Sequence, residues 1–194
     1  MNGLRWNRRK ILRAASLLPL LPYTRSPAEA ATPTPACAPG GAVTATQTPG
    51  PYFTPDSPLK ADFTPDAAGR RVSLAGYVID RNCRPLRGAV VDLWHANADG
   101  DYDNQGFRLR GHQISDSAGR FAFTTIEPGN YGVRTKHYHV RLTAPGRPQL
   151  TTQLYFPGNL RNAVDFIHQS NLEMRTAETE GGVRARFDFV LADT

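Results

Sequence analysis

Two histidines, His137 and His139, stand one residue apart in the run RTKHYHVR. Side chains on a β-strand alternate between its faces, so both imidazoles would project from one face and Tyr138 from the other. Side by side they suit a metal ion, a polar pair or mere adjacency. Three nearby segments carry groups that could join them. WHANADGDYDNQG opens on Trp94 and holds Tyr102 in a Gly- and Asp-rich loop. TIEPGNYGVRTKHYH brings Tyr131 and Arg134 ahead of the histidines, and TTQLYF presents Gln153. Imidazole serves Zn, Cu, Fe and Ni alike. Phenolate is more selective: it is a hard oxygen with a free pKa of about 10, and it needs a strongly polarising ion to form at neutral pH. Ferric iron does this, and two phenolates with one hydroxide would neutralise Fe(III) in a partly buried site. A Zn or Cu centre on the two histidines alone is the rival metal reading, but it leaves the tyrosines without a task. His95 and His112 are competing ligands read as structural or supporting, and His168 is read as structural.

The elements that must position these groups read as strands. From about Arg71 the chain runs in short alternating stretches separated by Gly, Pro and Asp: RRVSLAGYVID, GAVVDLWHA, GRFAFTTI, HYHVRLTA, LTTQLYF and RARFDFVL. That texture indicates an all-β fold, a single β-sandwich over 71–194. Helix is credible only within NLRNAVDFIHQSNLEM. Residues 31–70, rich in Pro, Gly and Thr, predict an extended N-terminal arm. Tyr52 on that arm either reaches the pocket or anchors the arm.

The first 30 residues read as an export leader: basic residues, the apolar stretch AASLLPLLPY, and a small-x-small site placing cleavage after Ala30. Arg8 and Arg9 resemble a twin-arginine signal, the alternative being an ordinary secretory one. The apolar stretch is too short to span a membrane. The leader changes the meaning of the net charge of +6. It holds six basic residues and one acidic one, leaving 17 basic and 16 acidic residues in the rest. Nucleic-acid binding therefore loses its electrostatic support, and no membrane partner is expected after cleavage. Cys37 and Cys83, the two cysteines of the chain, read as one disulfide in a periplasmic or secreted protein.

Taken in order, Trp94-x-Ala96-Asn97-x-x-Gly100-x-Tyr102, Pro128-Gly129-x-Tyr131, Arg134-x-x-His137-x-His139 and Gln153-x-Tyr155-Phe156 resemble the intradiol ring-cleavage dioxygenases, with TPGPYF at Thr48–Phe53 matching their N-terminal segment. The resemblance spans roughly residues 48 to 160. It implies one non-haem Fe(III) held by Tyr102, Tyr131, His137 and His139. The substrates implied are a catechol and O2, and the product is a cis,cis-muconate-type diacid. It implies that Tyr131 leaves the iron and takes a substrate proton, and that Arg134 stabilises carbanion character on the ring. Gln153 would assist, and Trp94 and Tyr52 would line the pocket. The stretch from Tyr131 to His137 is shorter than in protocatechuate enzymes, which predicts a more open pocket. A homo-oligomer is compatible with the sequence, although the long helical segment that builds dimers in cytosolic catechol enzymes is not seen. A non-catalytic exported binding module on the same sandwich is the competing function.

Overall fold

The computed structural model describes Cys37 and residues 39–193; the expected leader lies outside the described residues. Among the described residues nine strands form two sheets: β1 (Arg71–Asp80), β2 (Val90–Trp94), β3 (Arg110–Ile114), β4 (Arg120–Ile126), β5 (His137–Thr143), β6 (Leu150–Tyr155), β7 (Arg175–Thr179), β8 (Gly182–Arg186) and β9 (Phe189–Leu191). One sheet has the order β4-β1-β8-β7, with β9 pairing in parallel with the end of β1. The other has the order β3-β2-β5-β6, antiparallel throughout. Alternation explains the burial. Val72, Leu74 and Val78 of β1 and Phe121 and Phe123 of β4 turn inward, opposite Val91, Leu93, Tyr138, Val140 and Leu142 from the second sheet.

Short polar side chains set the turns. Asp116 accepts hydrogen bonds from the backbone N–H groups of Ala118 and Arg120 ahead of β4, and Asp80 does the same for Asn82 and Arg84 after β1. The stretch in which a helix was credible forms two 3-10 turns instead, Leu160–Ala163 and Ser170–Leu172. The segment before β1 runs without regular strands, bonding to β9 at Thr44, to β6 at Gln47, to β3 at Lys60 and to β4 at Phe63, whose ring enters the core. Cys83, in the turn after β1, forms a disulfide with Cys37, their Cα atoms 5.9 Å apart. No helix among the described residues is long and apolar enough to cross a membrane.

Candidate active site

The register of the second sheet assembles the site. With Tyr138, Val140 and Leu142 facing the core, His137, His139 and Arg141 must face outward. Across the sheet His139 is flanked by Trp94 on one side and Gln153 on the other, and Arg110 pairs with Trp94 on the far strand. The Trp94 indole lies parallel to the His139 ring at a centroid distance of 5.0 Å, which fixes the imidazole plane. His137 donates from Nδ1 to the carbonyl of Thr135 at 2.7 Å, so its Nε2 lone pair is free. That Nε2 lies 3.1 Å from Nε2 of His139 and 3.3 Å from the hydroxyl of Tyr102. Burial keeps both imidazoles neutral, pushing His137 down to about 4 and His139 well below its ordinary value.

Two loops bring in the tyrosines. The loop after β2 is braced by its own side chains: Asn97 accepts from the N–H groups of Asp99 and Asp101, and Asp103 accepts from those of Gln105, Gly106 and Arg108. The Asp103 carboxylate therefore serves the geometry of the loop. Its Gly100 meets the turn before β5 so closely that a Cβ would lie 2.2 Å from the carbonyl oxygen of Asn130, which explains the glycine ahead of Tyr102. In the facing turn the N–H of Arg134 closes on the carbonyl of Tyr131, leaving Val133 exposed at the tip. The Tyr131 ring stands edge-on to Tyr102 at 5.5 Å, and its hydroxyl is hydrogen-bonded to the hydroxyl of Tyr52. Tyr102 is a partly buried phenol whose pKa is driven well above its ordinary value by desolvation, although Arg134 and Arg110 pull the other way.

All the expected site residues meet here, while the rival histidines do not. His95 is buried on the core side, bonded to the carbonyl of Ala96 and the hydroxyl of Thr125; His112 pairs with Ser57, and His168 with Glu173. Tyr52 fills both of its proposed parts. Its ring stacks on Tyr102 at 4.5 Å, and its carbonyl accepts a hydrogen bond from the buried Arg110. Arg110 also donates to the carbonyl of Asp103, so one guanidinium ties the arm to the Tyr102 loop.

The donor set fits a single hard cation better than a histidine-only metal. Two neutral imidazole nitrogens and a phenol oxygen converge, with a second phenol at the edge. Nδ1 of His139 is buried without a partner, as befits a ring positioned by stacking rather than by a hydrogen bond. Among the described residues no three His, Cys, Asp or Glu side chains form a metal-binding group, so phenol oxygens would have to complete any coordination.

A family model described as Dioxygenase matches residues 48–193. The chain is 31% identical over 169 residues to the protocatechuate 3,4-dioxygenase beta chain of Burkholderia cepacia, covering 69% of this chain and 72% of that one. It is 32% identical over 141 residues to the chlorocatechol 1,2-dioxygenase of Rhodococcus opacus, covering 57% and 55%. The chain belongs to the intradiol ring-cleavage dioxygenase family. Among solved structures, the dioxygenase domain of a dioxygenase carbohydrate-binding protein fusion from Streptomyces sp. SirexAA-E superposes with a TM-score of 0.76. It shares 45% identity and covers 79% of this chain and 100% of that one. The chain spans about half to three quarters of the length of the curated relatives it matches. Two groups of this family member escaped the sequence reading: Arg110, just described, and Asp165, which contacts Arg134. Neither lies in a motif that chemistry alone would single out.

Proposed function

We propose that the chain is a non-haem Fe(III) intradiol dioxygenase, opening the ring of a catechol-type aromatic with O2 to a cis,cis-muconate-type diacid. The observation that carries this reading is the convergence of Tyr102, His137 and His139, with Tyr131 at the edge, in a member of this family. These four residues would hold the iron. Bound there, Fe(III) would supply the charge that ionises the Tyr102 phenol, which burial otherwise keeps protonated, and would activate a chelated catechol toward O2.

The chain's own residues do the rest. The hydroxyl of Tyr131 rests on that of Tyr52, so the phenolate this side chain would be as an iron ligand has a hydrogen-bond partner off the metal and would take a substrate proton at its oxygen, becoming the neutral phenol. Arg134 carries a permanent positive charge. It donates from one terminal nitrogen to Gln153 Oε1 at 2.6 Å and to the hydroxyl of Tyr155 at 3.3 Å. Its other terminal nitrogen has no hydrogen-bond partner among the described residues and is available to stabilise negative charge developing on the ring. Gln153 donates in turn to the carbonyl of Thr48, locking the arm over the site. Trp94 holds the His139 plane and lines the pocket. The exposed Val133 at the tip of the short turn supports an open pocket that does not select for a ring carboxylate. Plant- or lignin-derived catechols outside the cytoplasm are the substrates this reading favours.

Export belongs to the same proposal. The Cys37–Cys83 disulfide supports an oxidising compartment, periplasmic or extracellular, reached by the twin-arginine leader. Replacing Arg8 and Arg9 with lysine should leave the protein inside the cell; continued export would reject that route.

The function is tested by a visible spectrum of the iron-loaded protein before and after catechol is added without oxygen. A broad band that shifts on addition, followed by diacid formation when O2 is admitted, is expected. A colourless protein that binds no iron, under loading conditions that work for another family member, would replace this reading with the non-catalytic binding module.

A further inference from the structure

The guanidinium of Arg134 does not hold itself in place. Its Nε lies 2.9 Å from both carboxylate oxygens of Asp165. The Asp165 side chain is 0% exposed and that of Arg134 14%. The same carboxylate accepts the backbone N–H of Thr135 at 2.9 Å and that of Ile167 at 3.2 Å. Burial alone would raise the pKa of this acid, but hydrogen bonds from Thr135, Arg134 and Ile167 outweigh it and hold the carboxyl below its usual range. Asp165 is thus a buried anion whose acceptor capacity is spent on the start of the catalytic strand and on one arginine nitrogen.

The loop that carries Asp165 is itself braced against the Tyr131–Arg134 turn. Arg161 donates to the carbonyl of Gly132 at 2.7 Å, and Asn162 accepts from the Thr135 hydroxyl at 2.6 Å while donating to the carbonyl of Phe156 and to Glu173. A rigid loop therefore presents the carboxylate, and the carboxylate fixes the fork of the guanidinium. With Nε committed to Asp165 and one terminal nitrogen to Gln153, the remaining nitrogen has a single direction open to it.

We propose that Asp165 is the positioning residue of the catalytic arginine: it acts on ring cleavage through Arg134 and takes no part in holding iron or binding catechol. This inference rests on the function proposed above. Geometric preorganisation is where such a residue exerts its effect, because a misplacement of about 1 Å in a charge-stabilising group costs on the order of 100-fold in rate.

The test compares Asp165→Asn, Arg134→Ala and the double variant as iron-loaded proteins. Visible colour, anaerobic affinity for catechol and the single-turnover rate on admitting O2 would be measured for each. Asp165→Asn should keep its colour and bind catechol within about threefold of the parent, while the rate falls roughly 10- to 100-fold. The double variant should be no slower than Arg134→Ala, since the same interaction is already gone. An unchanged rate in Asp165→Asn, or a further loss of the same size on top of Arg134→Ala, would overturn the proposal. Should Asp165→Asn fail to accumulate as folded protein, Asp165→Glu carries the same test, because its extra methylene displaces the carboxylate from Nε. A second readout is independent of catalysis. In the metal-free protein, exchange of the Arg134 Nε proton with water should be slow in the parent and fast in Asp165→Asn; equal exchange would reject the contact as a restraint. A parent protein that lacks colour and turnover but keeps this difference in exchange would count against the proposed function while leaving the restraint standing.

Discussion

Gly50 offers the sharpest test of how the arm shapes the proposed metal site. Its φ is +65°, and a Cβ built there would lie 3.1 Å from Cε1 of His139 and 3.5 Å from Nε2. Carbon atoms in contact prefer about 3.5–4.0 Å, so in Gly50→Ala either the ring retreats or the arm lifts by about 0.4 Å. The ring has little room to retreat, because Trp94 lies parallel to it with an interplanar angle of 6°. Ligand distances in metal sites hold to about 0.2 Å, so a displacement of this size should weaken iron binding, by roughly 10- to 100-fold. The backbone adds its own cost, since an alanine in the left-handed region loses about 1–2 kcal/mol, or about 2–8 °C in melting temperature at this chain length. Gly146 separates the two effects: it has the same φ of +65° but nothing within 4 Å of a built Cβ. Gly146→Ala should melt lower by a similar amount and keep its iron. Chelator competition followed by visible absorption, with melts of the metal-free proteins, reads both quantities. If the two variants bind iron equally, whether tightly or weakly, the contact between Gly50 and His139 does not control the site.

Arg134→Ala should retain iron and colour while turnover falls roughly 100- to 1000-fold, the usual loss when one preorganised charge-stabilising group is removed; a parental rate would remove Arg134 from the chemistry. Cys83→Ser opens a disulfide spanning 46 residues and should cost roughly 4 kcal/mol on the chain-entropy view, read as a lower denaturant midpoint; an unchanged midpoint would show that the arm is held without it. Burial pushes His95 from its ordinary 6.5 down to about 4, so the unfolded chain binds a proton that the folded one refuses. The stability that this residue leaves intact above pH 6.5 should therefore fall by about 1.4 kcal/mol per pH unit as pH drops toward 4. Denaturation of His95→Gln across that window should show a slope smaller by that amount, and an unchanged slope would clear His95 of the effect.

Strands and site were legible in the sequence for different reasons. Period-two alternation fixes which face each residue of β1, β4 and β5 takes, and the inward set Tyr138, Val140 and Leu142 forces His137 and His139 outward together. The tyrosines were legible only as part of the ordered set of motifs that resembles the family, since each alone reads as an ordinary loop residue. Arg110 and Asp165 were not, because each derives its role from partners far away in the chain. Arg110 reads as an ordinary charged strand residue until the carbonyl of Tyr52, 58 positions earlier, needs a donor. The credible helix at Asn159–Met174 failed for a related reason: Asn159 caps the first short turn, while Asn162 and Asp165 direct their side chains to Thr135 and Arg134. Side chains that bond so readily to backbone and to distant strands compete with a continuous helical ladder.

The sandwich supplies the imidazoles, the tryptophan and the glutamine, but the arm closes the site over them. Gln47 donates to the carbonyl of Ile167 and accepts from Tyr155, Thr48 accepts from Gln153, Gly50 lies on His139, and Tyr52 stacks on Tyr102 and meets Tyr131 edge-on. Further on, the ring of Phe53 lies under the guanidinium of Arg141, which shares the outer face with the histidines. The contacts to Tyr155, Gln153, His139 and Arg141 link a segment without regular structure to strand positions that the core has already fixed. The arm therefore inherits its precision from the sheet and transmits it to the space above the histidines. Two sets of restraints hold different stretches: the disulfide and the hydrogen bonds of Gly40 and Gly41 with Arg81 hold the Cys37 stretch to the turn after β1, and hydrogen bonds hold residues 44–52 to β9, β6 and Arg110. Loosening the first stretch should lower stability with little change at the iron, whereas a change at Gly50 or Tyr52 should act on the iron at once. A covalent tie remote from the chemistry and a dense set of contacts above it are thus separable parts of one roof.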